Sequence, residues 1–309
     1  MSERLRKTPE VVPQNMKPVN DAMNLLLDRY LPKRKSLALE NYDWDAIRPD
    51  LIDPDLAQCL RFVAEVESNP EAPAKNLLRS ADISGATWKR RFVEEGWLPE
   101  ESMHGVILRE CAIRYGAASQ PLIDDEIEQV RTREFTIGAN YDSLKADVYG
   151  WMQEATTWRF YQAMQSATED PVLKQILNDI AKQENFHRHV YFEGAKNTLK
   201  YNPHVSREVV ETVAEFIMPG NEMTPELQLQ APRWARRFNF SSRDLLREQA
   251  SGLVELIGHE DMARSVIAYG VNNAPWYIKA PLTPLNKLNS PRVYHLFGKL
   301  AEAAVGKKK

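Results

Sequence analysis

A glutamate and a histidine stand three residues apart at two places in this sequence: Glu101 and His104 in EESMHG, and Glu184 and His187 in QENFH. Residues three apart share one face of a helix. Both pairs interrupt stripes that are otherwise apolar or aromatic. One stripe runs Trp97, Glu101, His104, Leu108, Cys111, Tyr115, and the other runs Ile176, Ile180, Glu184, His187, Tyr191. A third stripe sets Glu154 among Trp151, Trp158 and Tyr161, and a fourth ends Leu56, Leu60, Val63, Glu67. Glu65 falls on the polar side of that fourth stripe with Gln58 and Arg61, which makes it the alternative to Glu67. An unpaired carboxylate in a core is very costly. Four of them, with no Lys or Arg on the same stripes, would repel one another, and a buried cation removes the conflict. Carboxylate and imidazole together suit iron or manganese.

The helices that carry these residues can be traced from turn signals and periodicity. Asp53-Pro54-Asp55 is a helix start, LAQCLRFVAEVESN follows it, and Pro70 and Pro73 end it. A second helix begins near Pro99, where a first-turn proline costs nothing. A third runs from about Tyr141 to Ala167 and stops at Asp170-Pro171, and a fourth runs from Pro171 to about Leu199. VNDAMNLLLDRYL forms a short amphipathic helix, residues 32–54 are mostly loop, and further helical patterns lie near 206–217, 226–238, 242–257 and 260–271. Strand patterns are absent. The expected fold is all-α, a ferritin-like four-helix bundle with additional helices, in one domain over residues 1–309. Residues 1–15 are expected to be a flexible arm and residues 300–309 a flexible tail. One Glu from each of two helices, with Glu-x-x-His from each of the other two, is the ligand pattern of ferritin-like di-iron and di-manganese bundles.

Composition narrows the function classes. A net charge of −3 gives no global attraction to nucleic acid. No apolar run is long enough to span a bilayer, and MSERLRKTPE lacks the apolar stretch of a signal peptide. Cys59 and Cys111, the only cysteines, lie in helical patterns as small core residues, as expected in a reducing cytoplasm.

These motifs resemble the soluble acyl-ACP desaturases, ferritin-like di-iron proteins of plants and actinobacteria. Plant members carry EENRHG where this chain has EESMHG, QERAT where it has QEATT at 153–157, and DEKRH where it has QENFH. VESNP at 66–70 is similar to the first-ligand segment, and Trp44 in NYDWD to a tryptophan ahead of the first core helix. The resemblance implies two iron ions, with manganese as the alternative. Glu101 and Glu184 would bridge them, Glu67 and His104 would complete one ion, and Glu154 and His187 the other. It implies that Thr157 hydrogen-bonds bound oxygen or relays a proton, where a helix threonine otherwise bonds back to its own turn. Gln183 stands where the family often has an aspartate supporting a ligand histidine, so it and Trp44 are candidates for the layer behind the ligands.

By the same resemblance the activity is O2-dependent desaturation of a carrier-bound fatty acyl chain. The substrate comes on acyl carrier protein, the electrons come from a ferredoxin, and the chain is a homodimer in the cytoplasm, or in the plastid stroma of a plant. Met103, Trp151, Trp158, Phe160 and Tyr161 are candidates to line an apolar channel. An acidic carrier protein calls for basic docking residues: Lys89, Arg90, Arg91 and Arg233, Arg236, Arg237, with Lys33, Arg34, Lys35 behind. His189 lies off the ligand stripe. Three rival readings stay open: a related di-iron oxygenase or N-oxygenase on another small molecule, an iron-storing ferroxidase, and a metal-free binding module. The hundred or so residues beyond the bundle favour substrate handling over storage.

Overall fold

The computed structural model describes residues 14–224 and 227–257. Its regular structure is helical, with no strand among the described residues. In chain order the α-helices are α1 (Lys17–Tyr30), α2 (Pro54–Glu67), α3 (Glu71–Ser84), α4 (Thr87–Phe92), α5 (Leu98–Arg114), α6 (Gln120–Thr132), α7 (Ser143–Ser166), α8 (Pro171–Tyr201), α9 (Ser206–Ala214), α10 (Gly220–Met223), α11 (Leu227–Arg237) and α12 (Ser242–Ile257). The arm expected at 1–15 lies outside the described residues up to residue 13. Gln14 and Asn15 are tied to Asp142 and Asn202. The helix near 260–271 and the tail at 300–309 also lie outside them.

The sequence signals place the four core helices, α2, α5, α7 and α8, within a few residues. Their starts have the expected chemistry. Asp53, Asp142 and Asp170 each accept a hydrogen bond from a backbone N–H of the first turn, at Leu56, Lys145 and Leu173. Two helices carried no clear signal. α3 begins immediately after Pro70, so that proline separates two helices where an end alone was expected. α6 lies over α2 and α5 and buries Ile123, Ile127 and Val130. The second core helix also starts earlier than Pro99. α4 runs into α5 through a single π turn at Val93–Trp97. Such turns insert an extra residue into a helix and recur at functional sites.

α7 and α8 form a long hairpin, α2 packs on α5, and the two pairs face each other. The interior is two apolar cores with a polar layer between them. One core gathers Leu60, Leu108, Tyr161 and Ile180. The other gathers Trp97, Trp151, Val190 and Tyr191. Walking from Trp97 along α5 to Leu108 crosses Glu101 and His104, walking α8 from Ile180 to Tyr191 crosses Glu184 and His187, and walking α7 from Trp151 to Tyr161 crosses Glu154. The stripe pattern of the sequence is thus one cross-section of the bundle. Cys59 and Cys111 are buried in the first core as free thiols. Among the described residues no helix is long and apolar enough to cross a membrane.

Candidate metal centre

Six side chains meet in the polar layer as two overlapping groups. Glu67, Glu101, His104 and Glu184 form one, and Glu101, Glu154, Glu184 and His187 the other; within each, one donor atom per residue lies within 4.8 Å of the rest. Glu101 and Glu184 belong to both. Glu101, His104, Glu154, Glu184 and His187 are buried, and Glu67 is half-buried at the C-terminal end of α2. Glu65 points away and pairs with Arg61 at 3.7 Å. Glu67 reaches the group because α5 comes very close to the end of α2. The contact is at Gly105, where a Cβ would stand 2.6 Å from the Glu67 carbonyl oxygen and 2.9 Å from Ser68 Cα. The glycine after His104 is therefore a packing requirement of the site.

The hydrogen bonds behind the donors fix how they face. Gln183 donates its Nε2–H to the backbone carbonyl of Lys35 at 2.8 Å, and that carbonyl can only accept. The Gln183 Oε1 therefore faces His104 Nε2, at 2.7 Å, and accepts a hydrogen bond from its N–H. His104 is left with its Nδ1 lone pair toward the centre, 3.2 Å from Glu184 and 3.7 Å from Glu101. His187 is held from the opposite side in a similar way. Its Nε2 lies 2.7 Å from Glu100 Oε2, and its Nδ1 lies 3.0 Å from Glu101 and 3.9 Å from Glu184. The residue just before each Glu-x-x-His thus orients the histidine of the opposite helix. Such partners fix the tautomer and ring orientation of a ligating histidine.

Two more donors complete the layer. The Trp97 indole donates to Glu154 Oε1 at 3.0 Å, and the Tyr161 hydroxyl to Glu67 Oε1 at 2.7 Å. What remains without a hydrogen-bond partner is the inward set: Glu101 Oε1, Glu154 Oε2, both Glu184 oxygens, and Nδ1 of both histidines. Buried polar atoms are nearly always satisfied, so a convergent orphan set of carboxylate and imidazole donors fits a bound cation.

The charge balance points the same way. Burial and the negative charge of Glu101 push Glu67 and Glu184 well above the usual carboxylate range, and burial raises Glu154. Burial alone would lower His187, but its contact with Glu100 and the adjacent Glu101 carboxylate raise it to about 10. Glu101 is pulled down against the effect of burial by His104 and His187. Protons here answer the excess negative charge that a metal would otherwise neutralise.

A cavity of about 680 Å³ adjoins the centre, walled by Glu67, Glu101, Trp97, Thr157 and Tyr161 and lined mainly by apolar atoms. It extends under Phe135, Met223 and α11. Phe160 and Tyr161 line it as expected. Met103, Trp151 and Trp158 do not. Met103 packs into the first core, Trp151 lies against Phe192, and Trp158 is covered by the guanidinium groups of Arg159 and Arg188 at 4.3 and 4.9 Å. The period-3.6 stripe gives the inward side of α7 but not which inward residues border a void. The Thr157 hydroxyl donates to the Gln153 carbonyl at 3.1 Å, and the residue lines the cavity.

Other expectations need correction. Lys89 is fully buried, its Nζ 2.7 Å from Asp147 and 2.6 Å from the Ser143 carbonyl, so it cannot serve on a docking surface. Burial lowers Lys89 and raises Asp147 to about 7 despite their mutual attraction. Arg90 pairs with Asp82 and Glu94, Arg91 with Asp28 and Glu95, Arg233 with Asp55, and Arg237 with Asp53, while Arg236 is exposed. Trp44 donates to the Leu39 carbonyl at 2.7 Å and makes no hydrogen bond to Gln183. His189, expected off the ligand stripe, lies edge-on to Tyr30 and belongs to neither donor group. Sequence reasoning missed Glu100, Trp97 and Tyr161 as supports of the ligands. The doubled glutamate of PEESMHG was the available signal for Glu100.

Comparison with known proteins gives the chain a family. The family model described as fatty acid desaturase matches residues 74–241, more than half of the chain. Glu67 lies just outside the matched span. A Mycobacterium tuberculosis protein provisionally named acyl-acyl-carrier-protein desaturase DesA1, found under that name in two strains, is 26% identical over 209 residues. That match covers 63% of this chain and 58% of the relative, so the aligned part spans less than two thirds of the relative's length. The chain belongs to the fatty acid desaturase family.

Proposed function

We propose that this member of the fatty acid desaturase family is a di-iron, O2-dependent desaturase that puts a double bond into a fatty acyl chain held on an acyl carrier protein. One observation carries the reading. Two donor groups share Glu101 and Glu184, and two of their members, Glu67 and Glu101, line an apolar cavity. Glu67 and His104 would complete one metal site, Glu154 and His187 the other, and Glu101 and Glu184 would serve both. Iron suits the donor set, and manganese shares it. When bound, the metals supply activation of O2 for removal of hydrogen from an unactivated C–H bond.

The chain's own residues do the rest. The cavity volume is in the range of ligand sites, and its apolar lining suits an alkyl chain more than an amine or other polar substrate. That favours desaturation over N-oxygenation. Phe160 and Tyr161 line the cavity together with Glu67 and Glu101 and would pack against the chain there. Burial between two apolar cores keeps bulk water out. Thr157, on the cavity wall one turn after Glu154, can turn its hydroxyl from the Gln153 carbonyl to a ligand oxygen and pass a proton. Gln183 and Glu100 hold the two imidazoles in one tautomer throughout. A ferredoxin-type donor and a homodimeric assembly complete the proposal.

The test is turnover of 16- and 18-carbon acyl carrier protein substrates by the iron-loaded protein with O2 and an electron donor, with chains analysed by mass spectrometry. The reading expects a mono-unsaturated product. A hydroxylated chain, or no change with every substrate, would move the protein to the oxygenase alternative or out of acyl chemistry.

A further inference from the structure

A redox-active side chain is hydrogen-bonded to the candidate metal centre. Tyr161 is fully buried on α7, its hydroxyl donates to Glu67 Oε1 at 2.7 Å, and the residue lines the cavity. A carboxylate has two oxygens, so the bond at Oε1 leaves Oε2 for the centre. A phenol gives up one electron readily when its proton can leave at the same time. Here the proton acceptor is already in place, and it is one of the six donors. Other tyrosines of the bundle differ. Tyr115 donates to Asp170, which is in neither donor group. Tyr149 donates to the Ile217 carbonyl, which is too weak a base to take a proton.

Beyond Tyr161 lie side chains that oxidation would harm. The next buried residue along α7 is Met164, and α2 leads back from Glu67 through Val63 to Cys59. Cys59 Sγ and Met164 Sδ are 3.9 Å apart, in the same apolar core as Tyr161. Oxidation of a buried methionine to its sulfoxide puts a polar group into a core. Along α7, Tyr161 stands between Glu154 and this sulfur pair. The danger comes when O2 meets a reduced centre and the cavity holds no chain. With a chain bound, two ferrous ions and the two C–H hydrogens supply the four electrons that take O2 to water. Without a chain, two of the four are missing.

We propose that Tyr161 is a protective one-electron donor: when O2 reacts without substrate, it gives an electron to the centre, passes its hydroxyl proton to Glu67, and as a phenoxyl radical spares Met164 and Cys59. The proposal rests on the di-iron, O2-dependent reading. The fourth electron comes from an external one-electron reductant, here ferrous ion in solution. Three ferrous ions, O2, the Tyr161 phenol and three protons then give three ferric ions, the phenoxyl radical and two waters. Two of those irons are the pair in the centre. One further electron from the reductant and one proton restore the phenol.

The experiment mixes protein loaded anaerobically with excess ferrous iron with oxygenated buffer, in the absence of acyl substrate. Absorbance follows the ferric product, and samples frozen from milliseconds to minutes go to electron paramagnetic resonance. The wild type should show an organic radical whose hyperfine pattern narrows when the protein is made with ring-deuterated tyrosine. At saturating iron, Tyr161→Phe should still form the ferric product but lose the radical. Tyr191→Phe, which removes another buried phenol hydroxyl, should keep it. After repeated aerobic cycles, mass spectrometry should find more Met164 sulfoxide in Tyr161→Phe than in the wild type. If Tyr161→Phe holds no iron, the labelled wild type and labelled Tyr191→Phe decide instead: narrowing in both supports the proposal, and no narrowing overturns it. A ferric product formed with no radical overturns it too. So does a radical that survives in Tyr161→Phe, and its loss in Trp97→Phe would then assign it to the indole bonded to Glu154. Equal sulfoxide in both proteins overturns the protective role. All of these leave the di-iron reading standing. Wild-type protein that takes up no iron, or whose iron O2 does not oxidise, refutes that reading and the proposal with it.

Discussion

Gly105→Ala tests the placement of Glu67 without touching a ligand. The new Cβ would stand 2.6 Å from the Glu67 carbonyl oxygen and 2.9 Å from Ser68 Cα. Both obstacles are backbone, so no rotamer change relieves the clash. Ordinary contact starts near 3.4 Å, so α2 and α5 must part locally by about 0.8 Å. Overpacking of this size costs about 2 kcal/mol. For a protein of 309 residues that lowers Tm by about 3 °C. The displacement falls on the residue that reaches the centre from α2, and Glu67 is held there by Tyr161 at 2.7 Å. The Glu67/His104 group should lose metal affinity before the Glu154/His187 group does. Calorimetry gives the first result. Titration with cobalt, followed by its absorption bands, gives the second, as two unequal sites in the variant where the wild type fills both. A variant as stable as the wild type, with both sites intact, would refute the claim that this helix contact positions Glu67.

Three further outcomes follow from the same structure. Gln183→Ala and Glu100→Ala each free one imidazole to rotate, and each should weaken metal binding about 10–100-fold, read by competition with a chelator. Lys89→Met strands Asp147 in the core and should cost about 3–5 kcal/mol, while Lys89→Met/Asp147→Leu should recover most of it; chemical denaturation measures both. Metal-free protein should lose stability as pH rises from about 6.5 to 10. His187 is raised in the folded state to about 10 from 6.5, so its contribution is full below 6.5 and is lost as pH climbs through the folded value. Glu67 and Glu184, also raised, act in the same direction. Metal affinity should run the opposite way and grow with pH, because binding displaces those protons. Tm against pH with and without metal shows both trends.

Much of the centre was legible because a polar residue on an apolar stripe has few explanations. Glu101, His104, Glu154, Glu184 and His187 interrupt long periodic helices, and those positions decide the layer between the two cores. Glu67 was preferred over Glu65 by helical phase, and the structure turns Glu65 to Arg61. The rest was illegible for physical reasons. The π turn at Val93–Trp97 has no sequence period, so the continuity of α4 with α5 was hidden. α6 has an ordinary amphipathic pattern with no chemistry to draw attention to it. Which aromatic residues border the cavity depends on where neighbouring helices leave space, and composition does not encode that. Lys89 read as part of a surface KRR run, because its partner Asp147 lies 58 residues away and only the fold brings them together. Trp44 matched a motif by position, yet its indole is satisfied by the nearby Leu39 carbonyl.

The account stands or falls on whether these six side chains hold two metal ions. The most direct measurement is metal content per chain after anaerobic loading with ferrous iron and desalting, for the wild type and for Glu101→Ala/Glu184→Ala. Removing both shared carboxylates should abolish both sites, so the account predicts about two irons per wild-type chain, from two overlapping ligand groups, and close to none in the double variant. A wild type that holds no iron, or a double variant that keeps its full complement, would contradict it.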